Sequence, residues 1–219
     1  MFLSLAQSAF IDLMVARQAL RFGDFTLKSG RKSPYFINTG CFHHGGDLVR
    51  LGDAYADTIR ARFGSEVQVV FGPAYKGIPL ALAAAQGYEA LVQREVGWTY
   101  DRKEAKDHGD GGLFVGAPLA AGTKVVIVDD VLTAGTAMRE TFAKLKPTGV
   151  EILGAVVAVD RQERGATKRT ALEEIAAETG IRVMPIITIS EAVAHLTADG
   201  RLASADAERI RAHLAAQAG

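Results

Sequence analysis

The run Val125–Thr136, VVIVDDVLTAGT, opens with four consecutive β-branched residues. A short unbroken apolar run of this kind suits a strand covered on both faces, as in a parallel sheet. Two carboxylates follow at once, Asp129 and Asp130, then Thr133-Ala134-Gly135-Thr136, and a helical pattern begins with Ala137, Met138, Arg139 and Glu140. The order is strand, acidic turn, glycine-containing loop, helix. Amides and hydroxyls in such a turn, backed by a helix N-terminus, suit a phosphate. The acidic pair would repel that phosphate. Carboxylates are better placed to accept hydrogen bonds from sugar hydroxyls, or to help hold a hydrated Mg²⁺. One turn is thus suited to grip a phosphorylated sugar at both ends.

Working outward, Leu3 to Arg21 reads as an amphipathic helix with Leu5, Ala9, Leu13, Ala16 and Leu20 on one stripe. Phe25 to Gly30 alternates and ends in a Ser-Gly turn, and Ser33 to Asn38 reads as a second strand, so the pair predicts a small antiparallel unit. The spacing predicts a helix over Asp47–Phe63, a strand over Val67–Phe71, a helix over Ile78–Gln86 and a strand over Ala90–Gln93. After the central strand Lys124–Val128 come a helix Thr136–Leu145, a strand Ile152–Val159, a helix Ala166–Thr179 and a strand Arg182–Ile187. Two helices, Ser190–Ala198 and Ser204–Ala216, complete the pattern. Alternating units with short apolar strands predict one doubly wound α/β domain over residues 1–219, mainly parallel and flanked by helices. Residues 1–45 form a hood of helix plus antiparallel strands. Ligands in such sheets lie at the carboxyl ends of the strands.

The bulk properties exclude several classes. Twenty-five basic and twenty-five acidic side chains cancel, so no global field favours nucleic acid or an acidic membrane. No apolar run approaches the roughly 18 residues of a membrane span. The single cysteine, Cys41, rules out an internal disulfide and fits a reducing compartment, so the cytoplasm is expected.

A second strand–loop–helix turn follows Phe71: Gly72-Pro73-Ala74-Tyr75-Lys76-Gly77. Its amides and Lys76 suit a pyrophosphate. The polar insert from Glu95 to Gly112 has no apolar periodicity and places Arg102, Lys103, Lys106 and His108 close together between glycines. A stretch like this inside a domain is expected to be a functional lid or a disordered segment. Closing over the site, it would neutralise developing charge and exclude water.

The string of apolar strand, two acids, two apolar residues and T-A-G-T resembles the phosphoribosyl pyrophosphate (PRPP) signature of type I phosphoribosyltransferases. The loop RKEAKDHG, the turn GPAYKG, the strand FTLKSGRKSPYF and the later VDRQERG together resemble the orotate phosphoribosyltransferases, over about Phe25 to Gly165. That resemblance implies transfer of the phosphoribosyl group of PRPP to orotate, with Mg²⁺ held mainly through PRPP oxygens and no dedicated protein metal site. It implies that Asp129 and Asp130 bind the ribose hydroxyls, that Thr133, Ala134, Gly135, Thr136 and Ala137 bind the 5′-phosphate, and that Tyr75 and Lys76 lie at the pyrophosphate. Arg102, Lys103, Lys106 and His108 become catalytic residues of the loop, some reaching the neighbouring subunit of a homodimer. Lys28 contacts both substrates, Phe36, Ile37 and Thr133 lie at the orotate, and Arg161 pairs with the orotate carboxylate. A guanidinium suits that last role because it offers a planar two-point fit.

Ile37 departs from the family pattern, in which a second Phe is common. Cys41, His43 and His44 invite a metal reading, but neighbouring strand residues point to opposite faces and the spacing fits no closed zinc site. Cys41 is expected to be a buried thiol. Two alternatives stay open: a purine phosphoribosyltransferase, and a PRPP-binding regulator without catalysis. Lys103, Lys106 and Arg161 speak against the second.

Overall fold

Val125, Val126, Ile127 and Val128 are each 0% exposed, and their side chains alternate between two separate hydrophobic cores. Burying a side chain of this size contributes about 2 kcal/mol, so the central strand is strongly held. The computed structural model describes residues 3–27, 30–106, 112–132, 135–163 and 169–216, leaving out the side chains of 105 and 106. Lys28, His108, Thr133 and Ala134, and the side chain of Lys106, lie outside the described residues.

Helix α1 (Leu5–Ala16) starts from a reciprocal cap between Ser4 and Gln7 and is followed by the antiparallel strands β1 (Leu20–Thr26) and β2 (Lys32–Ile37). The helix is shorter than its apolar spacing predicts. Gln18 adopts a left-handed conformation (φ 55°), and Leu20 starts the strand instead of ending the helix. The expected stripe is also wrong. Leu5 is 92% exposed and Ala9 and Ala16 face solvent, while Phe10, Ile11, Leu13 and Met14 are buried.

Next come α2 (Gly45–Phe63), β3 (Val69–Gly72), α3 (Gly77–Val92), β4 (Gly97–Lys106), β5 (Gly112–Gly116), β6 (Lys124–Val131) and α4 (Thr136–Leu145). Beyond them lie β7 (Glu151–Asp160), α5 (Ala171–Thr179), β8 (Val183–Thr188), α6 (Ile189–Ala198) and α7 (Ser204–Ala216). The main sheet runs β5-β4-β3-β6-β7-β8, and every neighbouring pair is parallel except β4 with β5. Helices α2 and α3 pack on one face through Leu51, Tyr55, Leu80 and Tyr88, while α4 and α5 pack on the other through Met138, Phe142 and Ile175. Among the described residues, no helix is long and apolar enough to cross a membrane.

Three expectations are corrected here. Ala90–Gln93 is not a strand: it is the last turn of α3, closed by Gln93 in a left-handed conformation (φ 55°). The Ala- and Leu-rich run before it carries the helix through Val92. The expected helix over Ala166–Thr179 begins at Ala171, where Thr170 and Glu173 cap each other reciprocally; residues 166–168 lie outside the described residues. The described part of the insert is regular, since Gly97–Lys106 is a strand, while residues 107–111 lie outside the described residues. Its alternation runs opposite to the usual sense, with Trp98 partly exposed and stacked on Tyr100 while Thr99 and Asp101 point inward. A hydropathy pattern cannot reveal a strand whose polar residues face the core.

The first winding of the sheet depends on Gly72 and Gly77. A Cβ on Gly72 would sit 2.0 Å from the Gly77 carbonyl oxygen. Gly72→Ala is expected to lose about 3 kcal/mol of stability, a drop of roughly 6–12 °C in Tm. A midpoint within about 2 °C of the parent would show that this turn is not so closely packed.

Candidate active site

The strand order reverses between β3 and β6, which brings the two strand–turn–helix connections side by side. There a cleft of about 460 Å³ opens between Ile37, Tyr75, Lys76, Asp129, Ala137 and Arg161. The two turns touch. Lys76 Nζ donates to Asp130 Oδ2 at 2.5 Å, and Thr39 Oγ1 donates to the same oxygen at 3.0 Å.

Asp129 and Asp130 end β6 and fold their carboxylates back onto the backbone. The amide of Asp130 donates to Asp129 Oδ1 at 2.8 Å, and that of Val131 to Asp130 Oδ1 at 2.7 Å. Burial and the Asp130 carboxylate push Asp129 up to about 6, against a smaller opposing pull from Lys76. The buried Tyr55 hydroxyl donates to the Asp129 carbonyl at 2.7 Å, fixing the strand end from below. At the start of α4, Gly135 holds φ 73°, and a Cβ there would lie 2.9 Å from Ile175 Cδ1. Only glycine turns the chain so sharply at no steric expense. Thr136 and Ala137 follow as the first residues of α4, and Ala137 lines the cleft.

On the other turn, Tyr75 is largely exposed, and Lys103 Nζ rests 4.7 Å from the centre of its ring. Lys103 and Arg102 lie on β4, so the polar insert reaches the cleft as a strand. Ala74, which shares a cis peptide bond with Tyr75, donates its amide to Asp101 Oδ1 at 2.8 Å.

On the hood side, Ile37 lines the cleft, whereas Phe36 is not part of its wall. Phe36 lies 5.5 Å from the ring of Phe25, with the Arg21 guanidinium 5.1 Å from its own ring centre. Arg161 reaches the cleft from just beyond β7. Its Nη2 lies 2.5 Å from Glu163 Oε1, and its guanidinium sits 5.0 Å from the Tyr35 ring. The Tyr35 hydroxyl donates to Glu163 Oε1 at 2.8 Å and to the Arg161 carbonyl at 3.0 Å. Burial would raise Glu163, but the hydrogen bonds from Arg161 and Tyr35 and the nearby Arg31 hold it below the usual range. The same burial and the Glu163 carboxylate push the Tyr35 phenol far up, so it stays a donor.

Sequence reasoning missed Thr39, Asp101 and Glu163. The signal for Glu163 was present in VDRQERG, where an acid stands two residues from the expected carboxylate-binding Arg161. The reasoning about the Cys41 region also needs correction. Thr39–Cys41 is a 3₁₀ turn rather than strand, and the His43 and His44 rings lie 4.5 Å apart instead of on opposite faces. Cys41 is half-buried, not buried. Among the described residues, no group of three or more His, Cys, Asp or Glu is arranged to hold a metal ion.

Residues 42–180 match the phosphoribosyl transferase domain family. The orotate phosphoribosyltransferase of Lachnoclostridium phytofermentans is 48% identical over 188 residues, which cover 85% of this chain and 84% of that protein. The Bifidobacterium adolescentis orotate phosphoribosyltransferase is 50% identical over 189 residues, 83% of this chain and 82% of its own. Among solved structures, the Francisella tularensis orotate phosphoribosyltransferase superposes with a TM-score of 0.81 at 35% identity, covering 94% of this chain and 96% of that one. Agreement in sequence along most of both chains, and in the sheet that builds the cleft, means that the chain belongs to the orotate phosphoribosyltransferase family.

Proposed function

We propose that the cleft joins orotate to PRPP, giving orotidine 5′-monophosphate and pyrophosphate. The observation that carries this reading is the contact between the two turns: the acidic pair suited to a ribose diol lies against the Lys76 ammonium suited to a pyrophosphate. When PRPP enters, Lys76 exchanges the Asp130 carboxylate for the pyrophosphate, leaving Asp129 and Asp130 to accept from the ribose hydroxyls. The turn that ends in Gly135, Thr136 and Ala137 takes the 5′-phosphate. Arg161 makes a parallel exchange, giving up Glu163 for the orotate carboxylate, and Ile37 provides an apolar wall for the ring.

No covalent nucleophile is needed. Pyrophosphate departs from C1 of the ribose, the sugar gains oxocarbenium character, and the orotate ring nitrogen takes the vacated position. Catalysis consists of positioning the reactants and stabilising opposite charges. Lys103 and its neighbours on the insert offset the negative charge that grows on the leaving oxygen. Burial and the nearby Asp130 carboxylate, which together raise Asp129, make this corner of the cleft receptive to a divalent cation on the diol side. Mg²⁺ carried on PRPP oxygens would add positive charge to the leaving group. The same reading gives a cytoplasmic homodimer whose insert residues are shared between subunits.

Mixing the protein with PRPP, Mg²⁺ and orotate should consume orotate, followed by its absorbance. Turnover of hypoxanthine or guanine in its place would overturn the assignment. Arg161→Ala should raise KM for orotate roughly 100-fold, the scale expected when a buried charged pair loses one member, and leave KM for PRPP near the parent value. Equal effects on both substrates would remove Arg161 from the base pocket.

A further inference from the structure

Asp101 is a charged residue with no part in the chemistry above, yet it is only 4% exposed. Both its oxygens are engaged. Oδ1 accepts from the amide of Ala74, at 2.8 Å, in the turn that holds Tyr75 and Lys76. Oδ2 pairs with Lys144 in the last turn of α4. Two residues further along β4, Lys103 lies over the ring of Tyr75. The pairing of β4 with β5 is irregular between Asp101 and Lys106, and across this stretch β4 meets two successive residues of the turn, Ala74 through Asp101 and Tyr75 through Lys103.

We infer that Asp101 is a positioning residue that locks the Gly72–Gly77 turn in register with the strand carrying Lys103, so that Lys76 and Lys103 meet the same pyrophosphate. This rests on the pyrophosphate reading of that turn. A buried carboxylate suits the task because its hydrogen bond to an amide is charge-assisted and directional. Lys144 balances the charge that burial would otherwise disfavour. The residue touches no substrate and acts through Ala74.

The test compares Asp101→Ala, Asp101→Asn, Lys144→Met and Lys76→Ala with the parent by calorimetric titration of Mg²⁺-pyrophosphate and, separately, of ribose 5-phosphate. Asp101→Ala should weaken pyrophosphate binding roughly 10-fold, the scale of one hydrogen bond from a charged group, and leave ribose 5-phosphate within about twofold. Asp101→Asn keeps an oxygen for the Ala74 amide and should recover most of the loss. If Asp101→Ala does not fold, Lys144→Met carries the test, because the freed carboxylate can swing off the amide and should show the same selectivity. Equal losses for both ligands would assign Asp101 to general folding and overturn the inference. Pyrophosphate lost in Lys76→Ala but kept in Asp101→Ala would overturn the inference alone. Parent-like pyrophosphate binding in Lys76→Ala would remove the reading of the turn, and the inference with it.

Discussion

Asp129→Asn is expected to raise the melting temperature while removing most of the activity. Burial and Asp130 hold the Asp129 carboxyl at about 6, against an ordinary value of 3.8. The folded chain therefore binds this proton more tightly than the unfolded chain. The resulting penalty is absent below pH 3.8, grows between there and about 6, and is complete above that. At neutral pH it amounts to roughly 3 kcal/mol, which the buried apolar length of β6 offsets. An Asn keeps an oxygen for the Asp130 amide and has no charge to desolvate. It should regain about 2 kcal/mol, or roughly 4–8 °C in Tm. The same change removes a charged acceptor for the ribose and should lower kcat/KM for PRPP roughly 10²-fold. In the parent, kcat/KM should fall as the pH drops below about 6, and in the variant that fall should vanish. A lower Tm together with a parent-like pH profile would show that Asp129 neither stores strain nor meets the sugar.

Lys103→Ala should lower kcat roughly 10²- to 10³-fold with KM for PRPP within about threefold. The ammonium lies over Tyr75 at the rim of the cleft, beside the turn that carries Lys76. A group so placed acts on charge that appears only as pyrophosphate leaves, so the ground state should barely register its loss. Lys103→Arg should restore part of the rate. Turnover of the Ala variant within a few-fold of the parent would mean that the insert has no catalytic part.

How much of this was legible in the amino acids depended on whether a residue's partners are local. Thr136–Leu145 and Ser204–Ala216 were read to the residue, because Gly135 and the apolar spacing act over a single turn. Alternation gave a doubly wound sheet with its ligands at the carboxyl ends of the strands, but the strand order that sets the two glycine-bearing turns side by side is visible only in the fold. Asp101 was hidden because it sits in a charge run that reads as solvated surface, and only the fold brings Ala74 and Lys144 to it. Thr39 was hidden for the same reason, as its partner Asp130 lies 91 residues away. Apolar spacing carried the first helix five residues past its end, to Arg21 instead of Ala16, because the pattern does not record the backbone reversal at Gln18.

The hood strand β2 is completed by a much later part of the chain. Ala207 and Ile210 of α7 are buried in the core that contains Tyr35, His213 lies edge-on to the Tyr35 ring at 6.1 Å, and Arg209 reaches Asp24, 185 residues away, at 2.6 Å. During synthesis on a ribosome, the sugar-phosphate grip can therefore assemble before the orotate wall is braced. A nascent chain arrested ahead of α7 should already capture PRPP while remaining unable to discriminate among bases.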